Sequence, residues 1–277
     1  MHHGKSGFLY LLLLILLTGC SRTDEYQVYA IRFAEGGKIQ AKGWVIGARE
    51  TDSVDVCNMF WLLRAHDGRN ILVDAGFIDS SGRDGKYIRP DLALQEMQLA
   101  PEDISDIILT HPHPDHIGGI TLFPNAHIWM QQADYEYLTG LNWLKTDSTV
   151  FLKKDVENIQ ELKAKGRVTL INGDNIEVMP GIRAFTGSKH TFENQYLLVN
   201  TGSEKTRILL ASDAIWFYLN VEKSLPVSIC MDTSAYVRAM KRMKTLVPDP
   251  GLIIPGHDNL VFSRFPMIKD RIVQITK

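Results

Sequence analysis

This 277-residue chain is poor in cysteine, in surplus charge and in long apolar runs. Beyond Cys20 only Cys57 and Cys230 occur. They lie far apart in the sequence, so no disulfide framework can be read from them, and two buried free thiols are the plainer reading. Thirty basic residues against 32 acidic ones leave a formal charge of −2, with no basic block or Lys/Arg stripe. That excludes a nucleic-acid surface, which carries an electrostatic footprint, but leaves small anionic substrates open. There is no low-complexity stretch, solenoid period or long linker. The one long apolar run, Phe8 to Leu17, is too short to span a bilayer comfortably. What remains is ordinary: 45% apolar and 22% charged residues, enough for a core that stands without staples.

The N-terminus reads as an export signal. A short start with Lys5 precedes "FLYLLLLILL", and "TGC" follows. Leu17-Thr18-Gly19-Cys20 resembles a bacterial lipobox, in which the cysteine is lipidated and becomes the mature N-terminus. Residues 1–19 are then a lipoprotein signal, 20–26 a tether and 27–277 a single domain. A lipid on Cys20 would partition into a membrane through its methylenes. Ser21 is similar to the outer-membrane sorting pattern of Gram-negative bacteria. The expected location is periplasmic and lipid-anchored.

Along the body, strands and helices alternate in two similar halves. Strands are expected at Val28–Ala34, Cys57–Ala65 and Ile71–Phe77, the last two joined by an Asp-Gly turn. Residues 35–55 read as a long loop. A helix is expected from Pro90 to Leu99, a strand from Asp106 to Thr110, and another from Ala126 to Gln131. "QADYEYL" starts a helix. Val150, Phe151, Val156, Ile159 and Leu162 carry helical spacing to Gly166. Four strands follow ("RVTLI", "GIRAFTG", "QYLLVN", "RILLASD"), then a helix with Tyr236, Met240 and Met243 on one stripe, then the strand "LIIPGHD". Many apolar strands with interspersed helices predict an α/β fold of layers, sheets covered by helices on their outer faces.

The chemistry concentrates in "THPHPDHIGG", Thr110 to Gly119. Neutral imidazole and carboxylate are zinc ligands. On an extended loop His111 and His113 project from one side. Pro112 and Pro114 disfavour a helix there. Asp115 and His116, past the turn, face a second point, which suggests two metals. Further ligands are His190 after "IRAFTG", Asp213 after "RILLA" and His257 after "LIIPG". Each follows an apolar strand and so reaches the same sheet edge.

With "ILVDAG" (Ile71 to Gly76), these segments resemble the metallo-β-lactamase superfamily of dinuclear metallohydrolases across nearly the whole mature chain. The resemblance implies an αββα sandwich and two Zn²⁺ ions, or other divalent metals. It assigns His111, His113 and His190 to one metal, Asp115, His116 and His257 to the other, and Asp213 to both. Asp74 would position the metal loop without being a ligand. His2, His3, His66 and His127 have no place in the pattern.

A hydroxide between two zinc ions would be the nucleophile, and Asp115 would relay a proton to the leaving group. His113 stands where diiron members carry Glu, which favours hydrolysis, although persulfide dioxygenases share the His form. Asp213 stands where periplasmic β-lactamases lack a bridging carboxylate. The segments "LAPEDISDIILTHPHPDHIGG", "NAHIWMQQADYEYL" and "INGDNIEVMPGI" are most similar to N-acyl-homoserine lactonases. Lactone opening is therefore expected, on a small substrate with a hydrolysable ester, lactone or amide. β-Lactam, thioester and phosphodiester hydrolysis are the alternatives. A non-catalytic metal-binding lipoprotein is the reading outside enzymology. The sequence departs from the family at Pro114, often aromatic, at Trp216, where an active-site Tyr is usual, and at "SKHTFENQ" around His190. Trp216 and Tyr218 are the expected substrate contacts.

Overall fold

The computed structural model describes residues 25–79, 86–140, 150–202 and 206–276, together with residues 1 and 144. The segment expected to be an export signal, apart from Met1, and residues 20–24 of the expected tether, Cys20 included, lie outside the described residues. Among the described residues no helix is long and apolar enough to cross a membrane.

Strands β1 (Tyr26–Gln40) and β2 (Ser53–Ala65) form a long antiparallel hairpin. β3 (Asn70–Val73) pairs with β2 across the expected Asp67-Gly68 turn. Then come α1 (Pro90–Gln95), β4 (Ile104–Ile108), α2 (Pro114–Ile117), β5 (His127–Gln131), α3 (Gln132–Thr139), α4 (Lys153–Ala164) and β6 (Val168–Ile171). The second half holds β7 (Ile176–Met179), β8 (Ile182–Phe185), β9 (Tyr196–Val199), β10 (Ile208–Ser212), α5 (Tyr218–Lys223), α6 (Thr233–Leu246) and β11 (Ile253–Pro255). Last are α7 (Val261–Arg264), β12 (Met267–Lys269) and β13 (Ile272–Gln274).

Two sheets result. One has the order β12-β13-β1-β2-β3-β4-β5-β6, the other β11-β10-β9-β8-β7. Side chains of a strand alternate between faces, and each face is buried here. From β1, Val28 and Ala30 enter the layer between the sheets, where Ile182, Leu197 and Leu210 meet them. Tyr29 and Ile31 point the other way, into the outer apolar layer that also holds Leu94 of α1, Leu138 of α3 and Val156 of α4; α1 lies against β1, α3 against β5 and β6, and α4 against β6. Leu198 and Leu209 of the second sheet pack on Tyr236, Met240 and Met243 of α6. The layers are therefore helix, sheet, sheet, helix: the αββα sandwich.

Three expectations are corrected. Residues 35–55 are not one long loop: residues 35–40 continue β1 and residues 53–55 open β2, because Gly36 and Gly37 mark a bulge and not a turn. The β1–β2 register shifts between Arg32 and Ala34 and again between Glu35 and Gly37, where Gly37 takes φ +78°. Pro114 does not prevent a helix: it occupies the first helical position of α2, where its missing N–H costs nothing. Short elements with weak periodicity, β7, β12, β13, α5 and α7, escape the sequence reading. Cys57 and Cys230 are free thiols, the first buried and the second half-buried.

Asp155, in the first turn of α4, generates a stability prediction. Its side chain is buried and Oδ2 has no hydrogen-bond partner. Burial raises its pKa from 3.8 to about 6. A raised carboxylate stabilises the fold fully only below pH 3.8, and that contribution is lost as pH rises through 6. The helix N-terminus offsets part of this cost. Asp155→Asn is expected to gain about 1–2 kcal/mol at pH 8 and little near pH 4. Urea titrations at both pH values check it; an equal gain at the two would contradict it.

Candidate metal centre

The seven expected metal-ligating residues converge at one edge of the sandwich, where strand ends give way to loops. Two groups form: His111, His113, His190 and Asp213; and Asp115, His116 and His257. Within each group the donor atoms lie within 4.8 Å of one another.

Local backbone explains the opening motif. After β4 the chain runs extended through His111 and His113. Helix α2, with His113 as N-cap, then swings Asp115 and His116 toward the second group. Gly119 allows the chain to pass the loop after β3: a Cβ there would sit 2.0 Å from the Ala75 carbonyl oxygen. Asp74 lies in that loop with φ +66°, a region Asp tolerates better than most residues. Its carboxylate accepts from Thr110 N at 2.8 Å, Thr110 Oγ1 at 2.9 Å, His116 Nδ1 at 2.8 Å and Ser212 Oγ at 3.1 Å. It positions the loop, as expected, and touches neither set of converging donor atoms.

The hydrogen bonds fix the imidazole tautomers. His190 Nδ1 lies 2.7 Å from the Ile229 carbonyl, and His257 Nδ1 lies 3.0 Å from the Cys57 carbonyl. A carbonyl only accepts, so both Nδ1 atoms carry the proton and both Nε2 atoms present lone pairs. His116 donates its Nδ1–H to Asp74 in the same way. Thr110 gives its single hydroxyl proton to Asp74, so His111 Nδ1, 3.0 Å from Thr110 Oγ1, is a donor too. His113 Nδ1 lies 3.0 Å from His111 Nε2 and 3.0 Å from His190 Nε2.

Asp213 lies between the groups. Its Oδ2 is 3.1 Å from His190 Nε2 and 3.7 Å from His111 Nε2. Its Oδ1 is 3.0 Å from His257 Nε2 and 3.2 Å from His116 Nε2. Asp115 Oδ2 completes the second group, 3.6 Å from His116 Nε2 and 3.7 Å from His257 Nε2. Ligand atoms about 2 Å from a shared zinc ion lie roughly 3.3 Å apart at tetrahedral angles. The observed spacings match that edge length. His116 Nε2 and Asp213 Oδ1 are moreover buried without a hydrogen bond. The donor set therefore suits two divalent cations.

Electrostatics agree. Burial, reinforced by the neighbouring imidazoles, holds His111 well below the usual histidine range and lowers His113 to about 3. Both are neutral, the ligating form. Burial also opposes charge on His116 and His257, but nearby carboxylates, Asp115 and Asp213 among them, outweigh it and raise both. A field that draws protons to that group draws a cation as well.

Trp216 and Tyr218 part company. Trp216 lines the cavity over the centre. Tyr218 does not: it is buried between the sheets, with the Arg264 guanidinium 3.6 Å from its ring centroid. The expected substrate contact at Tyr218 is therefore corrected. His127 bonds Thr169, and His66 is exposed near Glu25, both away from the site. The sequence reading missed Asn58, whose Nδ2 donates to Asp115 Oδ2 at 2.9 Å. It also missed Asn194, which receives the His190 N–H, and Ser212. An Asn inside an apolar strand run is the one local signal Asn58 offered.

The cavity measures about 520 Å³. Its walls include Ile39, Trp44, Val56, Val150, Phe217 and Ile229, and none of its described lining residues is Lys or Arg.

The family model of the metallo-beta-lactamase superfamily matches residues 53–257, and the chain belongs to that superfamily. Among characterised relatives, an N-acyl homoserine lactonase of a Bacillus species is 31% identical over 166 residues, 60% of this chain and 60% of that protein. The chain thus matches about 60% of that relative's length. The N-acyl homoserine lactonase of Bacillus thuringiensis is 27% identical over 216 residues, 72% of this chain and 80% of that protein. The crystal structure of a quorum-quenching N-acyl homoserine lactone lactonase superposes with a TM-score of 0.70 at 24% identity. It covers 89% of this chain and 97% of its own. A dizinc quorum-quenching lactonase, AidC, superposes at 0.59 and 17% identity, over 92% and 98% of the two chains. At these identities the two structures establish the fold.

The Asp74 network makes a test independent of metal. Asp74→Ala leaves the Thr110 amide and the His116 imidazole without their buried acceptor. Metal-free protein is expected to lose about 3 kcal/mol, the cost of stranding such groups. Denaturant unfolding in chelator measures it; a loss under about 1 kcal/mol would mean the network is held by other contacts.

Proposed function

We propose that the chain is a dinuclear metallohydrolase that opens uncharged lactone rings, in the manner of N-acyl-homoserine lactonases. The observation that carries this reading is the cavity: five of the seven convergent donor residues (His113, Asp115, His190, Asp213 and His257) on its floor, apolar walls, and no cationic side chain among its described lining residues. A phosphodiester, a β-lactam carboxylate or an anionic thioester would call for a Lys or Arg beside its charge. An acylated lactone brings none.

Two Zn²⁺ ions, when bound, would supply Lewis-acid activation of water and of the ester carbonyl. His111, His113 and His190 would hold one, Asp115, His116 and His257 the other, and Asp213 both. The protein's own contributions follow from the geometry. The four Nδ1–H bonds fix the ring orientations, so that Nε2 of His111, His116, His190 and His257 is the atom each presents to a metal. The apolar walls exclude bulk water from the reacting ester and strengthen each electrostatic contact there. Asp115 is the one carboxylate with access: its side chain is 31% exposed against 4% for Asp213. As a carboxylate it is placed to take a proton from the attacking water and pass it to the alkoxide oxygen that leaves the acyl carbon, while Asn58 fixes one of its oxygens.

The same reading extends to place. The leader, the Leu17-Thr18-Gly19-Cys20 sequence and the short tether support an exported, lipid-anchored enzyme facing the periplasm. Cys20→Ser would then move the chain from the membrane fraction to the soluble one or block its maturation.

The deciding experiment joins elemental analysis to a substrate panel of acyl-homoserine lactones, other lactones, a cephalosporin, a thioester and a phosphodiester. About two metals per chain and lactone opening are expected. His113→Ala and Asp213→Ala should each lower turnover at least 10²-fold. Turnover confined to the cephalosporin, thioester or phosphodiester would overturn the lactonase reading and keep the metal centre.

A further inference from the structure

Trp216 lines the cavity, yet its one polar atom is engaged elsewhere. The indole Nε1–H donates to Asp213 Oδ2 at 2.6 Å. An indole N–H has no acceptor capacity and only this one donor. Oδ2 is the oxygen that faces His190 and His111. Oδ1, which faces His116 and His257, has no hydrogen bond. The bond thus locks the carboxylate in the rotation that offers one oxygen to each group.

The ring itself is wedged in place. It meets His190 edge-on at 5.7 Å between centroids and His257 at 5.9 Å, and Trp44 covers it at 5.9 Å. Its carbonyl accepts the His257 N–H at 3.0 Å. One residue therefore touches a ligand of each group and the carboxylate they share.

We propose that Trp216 is a positioning residue for the shared carboxylate, setting the metal affinity of the group formed by His111, His113 and His190, and not a substrate-contacting donor. The inference rests on the dinuclear reading above. Without the indole N–H, Oδ2 of Asp213 loses its one hydrogen bond, and the carboxylate is less firmly held in the rotation that sets Oδ2 at the first group. Outer partners of ligating carboxylates and imidazoles typically govern metal affinity 10–100-fold.

The test uses the full chain in detergent, stripped of metal and titrated with Zn²⁺ against a chromophoric chelator. Trp216→Phe keeps an aromatic ring and removes the donor. It is expected to weaken one of two zinc-binding steps about tenfold or more, with the other step changed less. An isotherm superimposable on that of the unaltered chain would overturn the proposal while leaving the metal centre intact. A chain that binds no zinc in either form would overturn both. A second measurement needs no change at position 216. The chain has five tryptophans. Replacing Trp44, Trp61, Trp129 and Trp143 by Phe one at a time assigns the Trp216 indole ¹H–¹⁵N peak by elimination. That peak should lie downfield in the metal-free protein and move as the first zinc enters. A peak at the position of a free indole, unmoved by zinc, would refute the assigned role.

Discussion

One buried carboxylate holds the site together. Asp74 closes the loop after β3, and its two oxygens collect donors from the loop after β4, from α2 and from the end of β10. Those elements belong to both sheets. Through Thr110 the network reaches His111 of the first group, and directly it reaches His116 of the second. Neither imidazole could turn without stranding a buried donor. The strain of Asp74 at φ +66° and of Ser212 at φ +45° sits where this network crosses from one sheet to the other.

That arrangement answers a problem of charge. Seven donor side chains within one small volume repel one another as lone pairs when neutral, and as charges when protonated. Burial keeps His111 and His113 neutral, so protons are a poor remedy in that group. The second group is richer in carboxylate, and there the pull on a positive charge is stronger. A pair of divalent cations resolves both conditions at once. The fold supplies the framework beforehand, through backbone carbonyls that can only accept.

How much of this was legible in the sequence depends on distance along the chain. His111 to His116 form a local pattern, so spacing alone exposed two faces. His190, Asp213 and His257 were legible as polar residues at the ends of apolar strands. The layers followed from the alternation of buried residues. The extent of the β1–β2 hairpin was not legible, because Gly-Gly serves a bulge as readily as a turn and only the partner strand decides. Asn58 and the target of the Trp216 indole were hidden because both act on residues far off in sequence. Tyr218 shows the limit of reading by proximity. It stands two residues from Trp216, but α5 begins there, and the change of backbone sends the two rings to different layers.

The extra length of the hairpin matters for the cavity. The tip carries Ile39 and Trp44 to the cavity wall, where the Trp44 ring lies 5.9 Å from that of Trp216. The tip is also tied down. Val45 pairs with Val227, Ile46 N–H donates to the Pro226 carbonyl and Ser228 N–H to that of Trp44. Asp52, at the base of the tip, accepts from Lys223 Nζ at 2.6 Å, and that bond with Arg49 holds its carboxyl well below the usual carboxylate range. These ties run to the last residue of α5 and to the segment joining α5 and α6, whose Ile229 carbonyl orients His190. The apolar wall and a metal-ligating imidazole therefore share one support. A change that loosened the wall would also loosen His190, so the shape of the cavity and the geometry of its floor are not independent variables in this chain.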